Sequence, residues 1–149
     1  MAALTWDEVV ARFSAAPCWW VATSGADGPH AVPVWGVAVA GVLHFYGEAG
    51  TVRSRNLLAD PRLVLHLESG SSVLIVHGTA APGRPAGEDP DVVAAYAAKY
   101  SDPTDLEYLP DAPGMGAALL WTVDPVRAVA WELGTSQDWE NRRWRAGGA

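Results

Sequence analysis

The sequence has little of three things that would point to particular classes of protein. It has one cysteine, Cys18, so no disulfide can form within the chain, and we expect a cytoplasmic location. It has 10 Lys and Arg against 17 Asp and Glu, a formal net charge of -7, and so lacks the positive field that attracts nucleic acids. Its longest apolar run, AVPVWGVAVAGVL, is broken by Pro33 and glycines and is shorter than the about 20 residues of a membrane-spanning helix. We therefore expect neither nucleic acid nor membrane as a partner.

What the sequence does contain is typical of one globular domain. Its 149 residues match the length of a single ordinary domain, and 50% of them are hydrophobic while only 18% are charged. That balance excludes a disordered chain or a coiled coil. We predict a single domain over residues 1–149.

The order of local patterns predicts a mainly β fold with a few helices. Thr5 and Glu8 form a capping box for a first helix, and Asp89 with Pro90 begins another in GEDPDVVAAYAAKY. Short apolar segments separated by turn residues predict strands: CWWVAT, HAVPVWGVAV, VLHFY, RLVLHLE, VLIVHGTA, AALLWTV and VRAVAWEL. With few helices to cover parallel crossovers, these strands favour an antiparallel barrel or sandwich. The proline-rich segment 101–116 is either a lid or loosely ordered.

Several of the predicted strands are apolar on both faces. In HAVPVWGVAV, Val32 and Val34 point to one side, while Trp35 and its alternate neighbours point to the other. One face can fill a barrel, but the other needs a helix, a partner subunit or a flat ligand as its cover. Eight tryptophans raise the same question. Burial in a dimer alone and a dimer with a bound ligand both remain open.

The segment FYGEAGTVRSRNLLADPR predicts a small cationic corner beside the end of a strand. Gly47 and Gly50 give the turn conformational freedom, and Thr51 is a suitable N-cap for a short helix that ends before Pro61. A helix start offers free backbone N–H groups, and Arg53 lies in its first turn, which together suit a phosphate group. The alternative is a solvated surface helix whose arginines balance an acidic chain.

Other residues give weaker indications of chemistry. The four histidines lie on separate predicted strands without metal-ligand spacing, so we expect no metal site. Cys18 lies in the apolar run APCWWVAT, so we expect it to be a buried structural thiol and not a nucleophile. No phosphate loop, nucleophile elbow or pair of catalytic carboxylates is present, and the catalytic residues stay unknown.

The strand HAVPVWGV followed by LHFYGEAGTVRSRNLLADPRLVL resembles the pyridoxamine 5′-phosphate oxidase-like family, which includes small enzymes dependent on FMN or the deazaflavin coenzyme F-420. The resemblance runs from about Trp19 to Arg145. It implies an FMN-binding split β-barrel of antiparallel, Greek-key type. It also implies a homodimer with the cofactor at the subunit interface, and hydride transfer to a small organic substrate.

The resemblance also assigns cofactor-binding residues. They fall on a strand, a strand end, a phosphate corner and three positions that meet the cofactor of the partner subunit. In that order they are Val32, Pro33, Val34 and Trp35; Tyr46 and Gly47; Thr51 and Arg53; and Ser72, Trp131 and Arg145.

Departures from the family pattern concern mainly the substrate. Gly36 stands where the vitamin B6 oxidase has a substrate-binding lysine, and Asn141 and Arg143 stand where it has an Arg-x-His pair. Val52 replaces a second basic residue of the phosphate corner. We therefore expect an oxidoreductase of another specificity, using FMN or F-420. The alternatives are a non-catalytic cofactor- or haem-binding split barrel, and a dimeric barrel with an empty or lipid-like cavity.

Overall fold

A computed structural model describes residues 3–134 and 141–148. In this part of the chain there are three α-helices: α1 (Trp6–Ala15), α2 (Val52–Ala59) and α3 (Pro90–Lys99). The strands are β1 (Trp19–Gly25), β2 (Gly28–Val34), β3 (Gly36–Val39), β4 (Val42–Glu48), β5 (Arg62–His66), β6 (Ser72–Pro85), β7 (Ala118–Glu132) and β8 (Arg142–Arg145). Two 3-10 segments, Ala86–Glu88 and Pro103–Tyr108, flank α3.

Each α-helix begins at the cap that the sequence predicts. The Thr5 hydroxyl accepts a hydrogen bond from the Glu8 amide at 3.2 Å, and the Thr51 hydroxyl accepts one from the Ser54 amide at 3.2 Å. The Asp89 carboxylate accepts two backbone amides at the start of α3. These bonds satisfy N–H groups that a first helical turn leaves without partners, so the helix starts follow from local sequence.

The strands form one curled antiparallel sheet, a half-barrel of the split-barrel type. Their order is β2-β1-β5-β6-β7-β4-β3, and β8 pairs with residues 127–130 of β7, a stretch that β4 does not reach. The two ends of this path, β2 and β3, are consecutive in the chain and are separated by Trp35 alone. The split in the barrel therefore lies where the chain passes through Trp35.

The concave face of the sheet encloses the main core. Alternate residues of the strands fill it, including Trp19 and Val21 of β1, Phe45 of β4 and Trp121 of β7. Val9 and Phe13 of α1 and Leu57 of α2 close the core from its ends. Burial of large apolar side chains on this face supplies most of the driving force for folding.

The convex face is only partly covered by the described residues. A second core lies outside β3 and β4, where Val92 and Tyr96 of α3 pack with Val37, Leu109 and Leu120. The helix is thus the cover over this half of the face. On β1, β5, β6 and β7 the outward side chains Trp20, Val64, Ile75, Val129 and Trp131 stay half-exposed.

Two predicted strand boundaries are wrong. HAVPVWGVAV forms two strands instead of one, because the chain changes from one side of the split to the other at Trp35. AALLWTV and VRAVAWEL form one strand, β7, whose register against β6 shifts between His77 and Gly78. A bulge there bends the strand without ending it. Within the described ranges, no helix has the length and apolar character needed to cross a bilayer.

Candidate functional site

A cleft of about 420 Å³ opens at the split in the barrel. Its lining comes from both sides of the split, from the start of α2 and from the segment that follows α3. The lining residues are Pro33, Val34, Trp35, Tyr46, Arg53, Tyr108 and Met115. Five of these are among the predicted cofactor-binding residues. The volume lies within the range of small-molecule sites, about 300–1,000 Å³.

Arg53 is the cation of this cleft. Its side chain turns back over the end of β4, with the guanidinium carbon 6.0 Å from the centre of the Phe45 ring. Its Nε is buried and has no hydrogen-bond partner. Burial lowers the pKa of the guanidinium, which nevertheless stays charged at neutral pH. A largely desolvated cation without a counter-charge is costly, so this arrangement favours an anion in the cleft.

The start of α2 brings Arg53 to this position. Thr51 caps the helix, and its hydroxyl also donates to the Glu48 carbonyl at 3.0 Å, which fixes the turn after β4. One turn further along the helix, Asn56 donates to the Thr23 hydroxyl at 3.1 Å and holds α2 against β1. Asn56 therefore has a structural role, while Thr51 orients a helix start and Arg53 toward the same region.

Gly47 makes room for the guanidinium. A Cβ atom built on Gly47 would lie 2.1 Å from a terminal nitrogen of Arg53. The backbone at Gly47 and Gly50 does not have a positive φ, so the expected conformational reason for these glycines is wrong. Gly47 is needed for space, because the cation passes directly over its Cα.

Aromatic side chains form the remaining walls. Trp35 stacks on Tyr100 with ring centres 4.2 Å apart and planes within 4°. Tyr108 meets the edge of Trp35, and the hydroxyl of Tyr46 donates to the backbone carbonyl of Tyr108. Burial raises the pKa of Tyr46 to about 12, so its hydroxyl keeps its proton at neutral pH. These rings give the cleft flat, largely apolar sides next to a single cation.

Six predicted site residues are not part of the lining of this cleft: Gly47 and Thr51, whose roles beside Arg53 are given above, and four that lie elsewhere. Val32 lies on β2 opposite Val21. Ser72 lies at the far end of β6, where its hydroxyl donates to Glu132 at 2.7 Å and accepts from Arg12 at 3.0 Å. Trp131 and Arg145 line another depression, on the convex face. Within one chain the structure therefore separates Ser72, Trp131 and Arg145 from Arg53.

This second depression, the arginine groove, has a volume of about 320 Å³. Arg127 of β7 lies directly opposite Arg145 of β8, and Arg143 is two residues away on the same face. Arg127 also lies 3.3 Å from His77, and burial together with that charge lowers the pKa of the imidazole. The ion pairs among the described residues are Arg62 with Asp60 and Arg142 with Glu8, so these three arginines have no acidic partner there. Like charges opposite one another are unfavourable without a counter-ion.

Sequence reasoning missed Met115 and three residues at the end of α3. Met115 reaches the cleft, together with Tyr108, from the segment 101–116, which has no periodic pattern that would predict its path. Tyr96, Lys99 and Tyr100 of α3 contact the Trp35–Gly36 backbone from outside the barrel. Helical spacing predicts that these three share a face, but not which strand they meet.

Metal and nucleophile chemistry finds no support in the described residues. No group of three or more metal-binding side chains is found in residues 3–134 and 141–148. The Cys18 thiol donates to Glu68 at 2.8 Å, and burial with this carboxylate raises its pKa to about 11. A thiol with so high a pKa is a poor nucleophile.

Comparison with known proteins identifies the family of the chain. Residues 5–132 match the pyridoxamine 5′-phosphate oxidase family. No curated protein sequence matches the chain. The family match spans both sides of the cleft, the turn at Thr51 and all of β7.

Solved structures with the same fold include proteins of several functions. An FMN-binding protein from Nostoc punctiforme, related to pyridoxamine 5′-phosphate oxidase, is 12% identical, with a TM-score of 0.63 over 97% of this chain and 98% of its own. An F420 reductase is 20% identical, with a TM-score of 0.56 over 78% and 93%. A heme binding protein from Mycobacterium smegmatis is 20% identical, with a TM-score of 0.64 over 97% and 60%. At these identities the similarity establishes the fold alone.

Proposed function

Because the chain belongs to the pyridoxamine 5′-phosphate oxidase family, we propose that its cleft binds a phosphate-bearing flavin or deazaflavin, FMN or coenzyme F-420. The protein would then be an oxidoreductase that acts on a small organic substrate. The observation that carries this proposal is the Arg53 side chain in the cleft, whose buried Nε has no hydrogen-bond partner and which makes no ion pair with the described residues.

The cation end of the cleft suits the phosphate. Arg53 offers a planar set of donors, and the start of α2 adds the partial positive charge of a helix N-terminus. A phosphate there would give the guanidinium the counter-charge that it lacks in the described chain. Gly47 leaves the space that this arginine conformation requires.

The aromatic end suits a flat ring system. Trp35 and Tyr46 offer apolar surfaces on the two sides of the split, and Tyr108 with Met115 borders the opening. A bound flavin or deazaflavin supplies hydride chemistry, which the side chains alone do not. The residues of the chain bind it, orient it and exclude water. FMN and F-420 both carry the phosphate that Arg53 would hold, so the cleft suits either.

The convex face suggests that a second copy completes the site. The outward side chains of four strands include the partly exposed apolar residues Trp20, Val64, Ile75, Val129 and Trp131, with His66 and His77 among them. We propose that this surface is the homodimer contact. The arginine groove, whose lining shares Ile75, Val129 and Trp131 with this surface, would bring Trp131 and Arg145 to the cofactor of the partner. An anionic ligand would also relieve the repulsion between Arg127 and Arg145.

Replacement of Arg53 tests the cofactor proposal. We expect Arg53→Ala to weaken FMN or F-420 binding at least tenfold, because a charge-assisted phosphate contact contributes about 1.5 kcal/mol or more. The measurement is a titration of purified protein with each cofactor, followed by tryptophan quenching and by the cofactor's own fluorescence. The preferred cofactor is the one that binds more tightly to the wild type.

Arg55→Ala is the matched control. Arg55 lies two residues further on the same helix but lines a different depression, beside the β1–β2 turn. It removes the same charge from the chain without touching the cleft, so we expect its effect to be less than about threefold, as for an exposed, screened charge. Equal losses for the two variants, or an unchanged isotherm for Arg53→Ala, would contradict the proposal and favour a barrel with an empty or lipid-like cavity.

Haem binding without turnover is the second candidate, and one fold relative has that function. Met115 and Tyr108 at the cleft are side chains of types that can ligate haem iron. Titration with hemin separates the two candidates. A sharp Soret band that is lost in Met115→Ala or Tyr108→Phe supports haem, whereas flavin binding that depends on Arg53 supports the first proposal.

A further inference from the structure

The peptide between Trp35 and Gly36 receives its hydrogen bonds from helix α3. Trp35 lies between β2 and β3 and has no cross-strand partner in either ladder. The Trp35 carbonyl accepts from the Tyr96 hydroxyl at 2.9 Å, and the Gly36 amide donates to the Tyr100 hydroxyl at 3.1 Å. Two tyrosines thus bond both polar groups of the peptide at the point where the chain passes from one ladder to the other.

The following carbonyl is held from the same helix. The Lys99 ammonium donates to the Gly36 carbonyl at 2.6 Å, and the Tyr100 hydroxyl donates to the Pro17 carbonyl at 2.7 Å. Tyr96, Lys99 and Tyr100 are spaced three and one residues apart, which places them on one face of α3 and its C-terminal cap. The face connects the split of the barrel to the end of α1.

Tyr100 holds the side chain as well as the backbone. Its ring stacks on Trp35 at 4.2 Å, while Tyr96 stacks on Tyr100 at 5.8 Å from the other direction. On the barrel side, a Cβ on Gly36 would lie 2.3 Å from the Trp19 ring. The Trp35–Gly36 segment therefore packs between α3 on one side and the Trp19 ring on the other. The Trp35 side chain also lines the cleft.

We propose that Tyr96 and Tyr100, together with Lys99, are positioning residues that hold Trp35 as a wall of the cleft and so set its affinity for a planar ligand. This clamp, formed by Tyr96, Lys99 and Tyr100 around the Trp35–Gly36 segment, is inferred from contacts within the chain. Its effect on affinity rests on the proposed function. A helix that served only as a cover for the second core would need apolar contacts alone, whereas three polar groups here converge on two consecutive residues.

The first experiment needs no ligand. Tyr96→Phe and Tyr100→Phe each remove one hydroxyl, and Tyr108→Phe is the matched control because its ring meets Trp35 but its hydroxyl does not contact the Trp35–Gly36 backbone. We expect the tryptophan bands of the near-ultraviolet circular dichroism, at wavelengths longer than those of tyrosine absorption, to change in the first two variants and not in the control. In a Trp35→Phe background the same changes should vanish, because Trp35 is their source. Changes that persist without Trp35, or no change at all, would overturn the proposal.

The second experiment is a double-mutant cycle on cofactor affinity. We expect Tyr100→Phe, which removes the hydroxyl bonded to the Gly36 amide and to the Pro17 carbonyl, to weaken FMN or F-420 binding about fivefold, the size of effect of one lost hydrogen bond. In Trp35→Ala it should cause no further loss, since its effect passes through that ring. Additive losses would show a general structural effect and overturn the proposal. If Tyr100→Phe does not fold, Lys99→Met, which removes only the ammonium bonds, takes its place in both experiments.

The two experiments separate the possible failures. A wild type that binds neither cofactor defeats the proposed function, and the ligand-free spectra then decide the clamp alone. A wild type that binds a cofactor through Arg53 but shows additive losses defeats the clamp and leaves the proposed function standing.

Discussion

Arg53 and Gly47 work as a pair. The arginine is on the first turn of α2 and the glycine is on β4. The guanidinium lies over β4 in the space that a side chain at position 47 would occupy. The crossing buries Nε and leaves it without a partner. At the scale of single residues, the conformation of Arg53 in the cleft therefore depends on the absence of a Cβ atom at Gly47.

Gly47→Ala tests that dependence. The new methyl group would overlap a terminal nitrogen of Arg53, which is the far end of a flexible side chain, so we expect the guanidinium to move and the fold to remain. Cofactor affinity should fall about tenfold, comparable to the loss of the charge-assisted contact itself. Titration of the variant and a urea unfolding curve provide the two measurements.

Gly50→Ala is the control for this change. A Cβ on Gly50 would have no atom within 4 Å, and its φ is not positive. Cofactor affinity and the free energy of unfolding should both stay near their wild-type values. Gly47→Ala with full affinity would show that the observed conformation of Arg53 is not the binding one.

At the scale of elements, α3 combines a cover with a clamp. Val92 and Tyr96 bury its inner face against β3 and β4, and Lys99 at its end lies 5.1 Å from the centre of the Trp19 ring. Burial lowers the pKa of Lys99 to about 8, although the nearby Cys18 opposes this shift. The element therefore carries an ammonium that is held by carbonyls and rings instead of a carboxylate.

This pKa predicts a pH dependence of stability. An unfolded lysine titrates near 10.4, so between about pH 8 and pH 10.4 the unfolded chain holds a proton that the folded chain has released. The free energy of unfolding should therefore rise with pH through this window, owing to Lys99. Cys18, with its pKa raised to about 11, acts in the opposite direction as its unfolded thiol ionises.

The measurement is accordingly a difference between two proteins. Because Cys18 and Lys99 influence each other's pKa, both proteins carry Cys18→Ser, and urea unfolding is compared for Cys18→Ser and Cys18→Ser/Lys99→Met at intervals from pH 7 to pH 10.5. The protein that keeps Lys99 should gain stability relative to the one with Lys99→Met as the pH rises. A constant difference across the window would mean that Lys99 titrates in the folded chain as it does in the unfolded one.

At the scale of the whole molecule, the sheet has one half of its convex face covered and the other half open. The helix α3 covers β3 and β4, while no described element lies over the outward side chains of β1, β5 and β6. An exposed apolar patch of this size on a protein surface is typical of an interaction site. We propose a second copy as its occupant, in line with the separation of Arg53 from Trp131 and Arg145.

Val129→Asp tests the dimer. Val129 lies opposite Arg143 and beside Arg127, so a carboxylate there gains partners in a free protomer but enters an apolar contact in a dimer. We expect a folded monomer by sedimentation, with cofactor affinity reduced at least tenfold. Leu106→Asp, at an apolar residue that is 56% exposed and away from this face, should leave mass and affinity unchanged. A wild type that sediments as a monomer would contradict the proposal directly.

Local features of the fold were predictable because their causes are local. Thr5, Thr51 and Asp89 cap the helices as expected, since each bond joins residues two or three positions apart. The mainly β, split-barrel fold followed from the strand pattern and from the family resemblance. The split at Trp35 was not predictable from periodicity, because apolar alternation continues across it.

The site was predictable in part for the same reason. The sequence by itself determined the helix caps, the alternation of apolar residues within the strands and the position of a cation in the first turn of α2. All of these depend on neighbours in the chain. Only the tertiary structure decided that this cation crosses Gly47, that α3 holds the Trp35 peptide, and that Ser72, Trp131 and Arg145 lie outside the cleft of their own chain. Those outcomes depend on how the sheet curls, which brings together residues that no sequence spacing relates.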